Sequence, residues 1–165
     1  MSDRSRAKAL AVVALIALGG CKESIPKGFE ALVPDKGRGD VSLATETDGA
    51  SYGAQKMLII TYGTELSDAE LNEAYAETVT GQGYQKVSEC KTDGDVTSTD
   101  FLKPSGEHVQ VFFRLRSKGE TGPMLHVFKS SKLAELRGGK TCTFTDAAKE
   151  LCVSLEGDLC RLKES

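Results

Sequence analysis

At 165 residues the chain is long enough for one domain with a respectable core and short for two. Its 21 basic and 24 acidic residues leave a formal charge of −3, which argues against a nucleic-acid partner, since that function wants a basic domain or stripe. No internal repeat is visible, and no apolar run approaches the roughly 20 residues that a membrane-crossing helix needs.

The chain opens with Arg4, Arg6 and Lys8, followed by an apolar run from Ala9 to Leu18 that carries no charge. A basic head, a short apolar core and small residues read as a secretory signal peptide. The residues Leu18, Gly19, Gly20 and Cys21 then match an aliphatic residue, two small residues and a cysteine. This pattern resembles the lipobox of bacterial lipoproteins. The resemblance implies that the Cys21 sulfur takes a diacylglyceryl group through a thioether, that residues 1–20 are removed, and that the new amine is acylated, palmitate being a usual chain. The thiol is the nucleophile, and small residues before it let an extended backbone enter the peptidase site. Several acyl chains, at about 0.8 kcal/mol per buried CH₂, hold a protein on a membrane where one chain exchanges. Lys22 further resembles the outer-membrane-directed lipoproteins of enteric bacteria, so attachment to the outer membrane is expected, on a side that stays open. Loss of residues 1–20 removes three basic residues and one acidic residue and takes the formal charge to about −5.

Residues 22–40 mix Pro26, Pro34, Gly28, Gly37 and Gly39 with charges, the composition of a tether. Fully extended at about 3.3 Å per residue, the segment reaches roughly 60 Å. Phe29, Leu32 and Val33 offer the alternative of docking on the domain. Arg38-Gly39-Asp40 resembles an integrin-binding tripeptide, but three residues in such a linker match by chance. The expected organisation is a signal over 1–20, a lipidated N-terminus and tether over 21–40, and a single domain over 41–165.

From Val41 the pattern is regular. DVSLAT (40–45) and KMLIITY (56–62) read as strands. Ser67 and Glu70 form a capping box, Leu66 and Leu71 a hydrophobic staple, and Leu71, Ala74, Tyr75, Thr78 and Val79 recur at helical spacing, so a helix is predicted over 68–80 with Gly81 as its stop. YQKVSEC (84–90), VTSTDFLKP (96–104), EHVQVFFRLRS (107–117) and PMLHVFK (123–129) follow with short connections, the signature of an antiparallel meander. In the tail, SSKLAELRGG and TFTDAAKELCVSLEG suggest short helices, the second with Ala148, Leu151, Cys152 and Leu155 on one face. The fold class is therefore α+β: an antiparallel sheet of five to six strands, one amphipathic helix on a face, and a disulfide-tied C-terminal segment with short helices.

Along 107–117, Val109, Val111, Phe113 and Leu115 should meet the helix. His108, Gln110, Phe112, Arg114 and Arg116 then fall on the other face, either as a binding surface for an acidic or polymeric partner or as a solvated face with Phe112 shielded by the tail. With Cys21 spent on lipid, Cys90, Cys142, Cys152 and Cys160 make an even set, which outside the cytoplasm favours disulfides. Three connectivities are open, and Cys90–Cys142 with Cys152–Cys160 is preferred. Zinc sites usually show close cysteine pairs, and the tail cysteines are too widely spaced for that, so no metal and no cofactor is expected.

No G-x-S-x-G, H-E-x-x-H or phosphate-binding glycine loop occurs. His126, between Met124 and Phe128 on one strand face, reads as a packed histidine, while Asp100 and His108 flank a hairpin without a nucleophile beside them. The expectation is a non-enzymatic, lipid-anchored module that binds an envelope protein or cell-wall partner. The alternative is an envelope-polymer hydrolase with His126 or His108 as general base.

Overall fold

The computed structural model describes residues 24–48, 56–63, 66–93, 95–113, 124–130, 134–137, 141–154 and 160–163. Helix α1 runs Asp68–Gly81 and begins as its sequence dictates: the Ser67 hydroxyl oxygen accepts the Glu70 N–H at 3.3 Å, while Glu70 Oε2 accepts the Ser67 N–H at 3.0 Å. Two backbone donors that a helix start leaves open are thereby satisfied. Leu71 is fully buried and Leu66 packs against the same core, as a staple requires. The stop lies later than expected. Gly81 is still helical, and the reversal falls on Gly83, whose φ of 82° is in the left-handed region and whose N–H donates to the Thr80 carbonyl at 2.9 Å.

Strands follow the alternation of their residues. β1 is Val41–Asp48, β2 Lys56–Tyr62, β3 Gln85–Thr92, β4 Asp95–Leu102, β5 His108–Phe113 and β6 Met124–Ser130; the tail holds β7 Ala134–Arg137, β8 Cys142–Phe144, helix α2 Asp146–Ser154 and β9 Cys160–Lys163. Among the described residues the main sheet has seven strands in the order β1-β2-β6-β5-β4-β3-β8, with every neighbouring pair antiparallel. The fold is α+β, and β3 to β6 form the meander. The additional strand is β8, three residues that the tail lays along β3.

One tail element is not what its sequence suggests. The segment SSKLAELRGG contains no helix among its described residues: Ala134–Arg137 is a strand paired in parallel with β9. Its four residues alternate apolar and charged, a period of two, and pairing with a distant strand outweighs a helix too short to stand alone.

The first face of the sheet carries the main core. Leu58, Ile60 and Tyr62 of β2, Phe101 of β4 and Val109, Val111 and Phe113 of β5 pack with Leu71, Tyr75 and Val79 of α1. Phe29, Leu32 and Val33 belong to the same cluster and are buried. Of the two arrangements open to residues 22–40, this part is docked, so the folded body starts well before Val41 and the 60 Å reach does not exist. The Arg38 guanidinium donates to the carbonyls of Glu30, at 2.8 Å, and Val33, which ties the docked turn to the residues that follow it. Arg38–Asp40 is a single 3-10 turn. Within this core Tyr62 Oη and Tyr75 Oη meet at 2.8 Å.

On the second face Val87 and Leu102 meet Ala148 and Leu151 of α2 in a smaller cluster. Cys90 and Cys142 stand directly opposite each other on β3 and β8 and form a disulfide, with Cα atoms 4.0 Å apart. Cys152 is also in a disulfide; the side chain of Cys160, its expected partner, lies outside the described residues.

Two outcomes follow. Replacing Cys90 and Cys142 together by serine opens a link across 52 residues and should lower the unfolding free energy by about 4 kcal/mol in urea titrations, on the chain-entropy account. Burial raises Tyr62 from 10.0 to about 12 and lifts Tyr75 well above its ordinary value. The folded state thus favours the neutral phenols, and their stabilisation is complete below pH 10 and lost as pH rises toward 12. Alkaline unfolding followed by circular dichroism should show that loss, and Tyr75→Phe should reduce its steepness.

Candidate functional site

The second face of the sheet outside the α2 contact presents a polar row whose members come from three strands. Pairing sets Asp100 of β4 opposite both Gln110 of β5 and Ser88 of β3, and sets His108 opposite Leu102. Directly opposite residues on antiparallel strands share a face, so Ser88, Asp100, Gln110 and His108 gather on one side. Ser88 reaches that position through a register irregularity between Lys86 and Ser88.

Asp100 is 6% exposed, and three side chains converge on its carboxylate. Ser88 Oγ donates to Oδ2 at 2.5 Å, while His108 Nε2 and Gln110 Nε2 both meet Oδ1, at 2.8 and 3.0 Å. An ionised carboxylate only accepts, which makes all three groups donors and fixes the His108 proton on Nε2. A charge this deep is tolerable because it is so bonded. From the opposite side of β4, Thr99 Oγ1 donates to Asn72 Oδ1 at 2.9 Å, a buried bond that ties the strand to α1.

The expected binding residues separate. His108 and Gln110 are half-buried and joined through Asp100. Phe112, two residues on, is 37% exposed, so it is not shielded as the solvated-face account required. Arg114, Arg116 and Cys21 lie outside the described residues. His126 is registered opposite Phe112 on one side and Ile59 on the other, and its side chain is not described. Ser88 was not anticipated: in YQKVSEC nothing marks it, because its place depends on the irregularity in β3.

The chemistry open to this group is limited. Ser88 is 1% exposed and gives its proton to a carboxylate instead of a histidine. A nucleophilic triad needs the histidine between serine and acid, so this is not one. No group of three or more histidine, cysteine or acidic side chains able to hold a metal occurs among the described residues. What the arrangement does is hold His108 and Gln110 in single orientations. Comparison of the chain with protein-family models, with curated proteins and with solved structures finds no match.

Removing the Ser88 hydroxyl deletes a bond to a buried charge, and Ser88→Ala should cost about 1.5–3 kcal/mol in chemical denaturation. Ser42→Ala, on the exposed edge strand, should stay within about 0.5 kcal/mol.

Proposed function

We propose that this chain is a lipid-anchored protein of a bacterial cell envelope whose domain is a non-enzymatic binding module for an envelope protein or cell-wall partner. The observation that carries the anchor is Leu18-Gly19-Gly20-Cys21 placed directly after a basic and apolar leader. The Cys90–Cys142 disulfide supports the reading, since stable disulfides belong to oxidising compartments. No helix among the described residues is long and apolar enough to cross a membrane, and in this reading the Cys21 lipid makes the attachment. Docking of the turn that starts at Pro26 shortens the tether. The five peptide steps from Cys21 to Pro26 reach at most roughly 17 Å, so the domain stands close to the bilayer surface.

For the domain itself, oriented and partly buried polar side chains beside an exposed aromatic support recognition more than turnover. The hydrolase reading rests on one specific contact, Asp100 to His108 at 2.8 Å, an acid that orients a histidine. It lacks a nucleophile or water-holding partner among the described residues.

Cys21→Ser should move the protein from the membrane to the soluble fraction and leave the leader uncleaved at that position. Membrane partitioning and mature mass both unchanged in that variant would sink the anchor. Crosslinking in intact cells, with mass spectrometry of the captured species, addresses the partner.

A further inference from the structure

The C-terminal elements hold to one another. β7 pairs with β9, α2 lies against β9, and Cys152 of α2 is in a disulfide. Of the chain's five cysteines, Cys90 and Cys142 bond each other, which leaves Cys160 or Cys21 as the partner of Cys152. With Cys21 taken by lipid the partner is Cys160 of β9, a step that rests on the anchor reading. That staple is internal to the C-terminal unit and fastens it to nothing else.

The unit is attached at the end of the main sheet. β8, last in the strand order, pairs with β3 over three residues. The Thr145 N–H and hydroxyl donate to the carbonyls of Val87 and Lys86 at 3.0 and 2.8 Å, and the Lys91 N–H donates to the Thr141 carbonyl at 2.8 Å. Ala148 and Leu151 cover Val87 and Leu102. A three-residue strand and a small apolar cluster are elements of low local stability, and the Cys90–Cys142 bond holds them in place. Both of its cysteines are half-buried, and among the described residues no strand lies beyond β8. A disulfide sealed in a core is closed to an attacking thiolate, whereas this one stands at a sheet border.

We propose that Cys90–Cys142 is a redox latch: a protein dithiol opens it, and the C-terminal unit leaves β3. One thiolate of the dithiol attacks a sulfur of the pair, and the other cysteine leaves as a thiolate and takes up a proton. The second thiol of the dithiol then attacks the mixed disulfide, closes a disulfide of its own and frees the remaining cysteine. Two electrons and two protons have passed to the protein. Release uncovers Val87, Leu102 and the outer backbone edge of β3. The core under α1 shares no residue with the cluster that opens, so it stays folded.

The test takes the intact mature protein in detergent micelles through graded mixtures of reduced and oxidised dithiothreitol. At each step free thiols are alkylated and mapped by peptide mass, and amide hydrogen exchange is followed by NMR. Cys90 and Cys142 should become labelled in mixtures that leave Cys152 bonded. In that form the Lys91 and Thr145 amides, which bond across the junction, should exchange about tenfold or more faster, while those of α1 stay unchanged. Replacing Cys90 and Cys142 together by serine should give the same fast amides without reductant, and the wild-type titration needs no substitution. Slow amides at both positions once the pair is fully labelled, labelling of Cys152 at or before that stage, or loss of protection across α1 in step with them overturns the proposal. A Cys21–Cys152 peptide in the oxidised protein overturns the internal staple and the anchor together. A lipid mass on Cys21 with slow amides overturns the latch alone.

Discussion

A carboxylate with 6% of its surface exposed must collect donors from its surroundings, and β3, β4 and β5 are held in one register that supplies them to Asp100. The requirement is tight, because moving either neighbouring strand by one residue would turn Ser88 or Gln110 to the opposite face. The irregularity in β3 between Lys86 and Ser88 is part of the same arrangement, since it brings a serine to the carboxylate and leaves Val87 for the small cluster under α2. Thr99, next to Asp100, makes its bond to Asn72 on the helix side, so adjacent residues of β4 anchor both faces.

Those faces are stabilised unequally. The first is covered by α1 and by the docked turn around Phe29, whose combined apolar surface makes the continuous core. Among the described residues the second carries a smaller cluster at the α2 contact, four buried residues supported by Phe144 and Cys152. A cluster of that size does not hold a segment firmly, and the β8 pairing and the Cys90–Cys142 link add what packing lacks. The tail thereby covers one part of the second face, while Phe112 stays exposed.

The same division gives the proposed function its physical content. Side chains on a well-packed sheet, with their donor atoms committed inward, lose little conformational entropy when a partner arrives. Asp100 therefore acts as a positioning residue for His108 and Gln110. A docked N-terminal turn, together with the proposed lipid on Cys21, keeps such a surface near a bilayer and restricts the partners it can meet.

What the sequence determined by itself was local. The Ser67–Glu70 box, the spacing of Leu71, Ala74, Tyr75 and Val79, and the alternation along β5 act within a few residues, and they specify α1, the meander and the α+β class. Asp100 and His108 were legible as neighbours because a short hairpin joins them, and Cys90–Cys142 was legible as one of a few pairings. Tertiary structure decided the docking of Phe29, the strand at Ala134–Arg137 and the place of Ser88. Each depends on groups outside its own segment: an apolar turn needs a core to enter, a four-residue strand needs a partner, and a serine reaches a carboxylate only through the register of the strands between them.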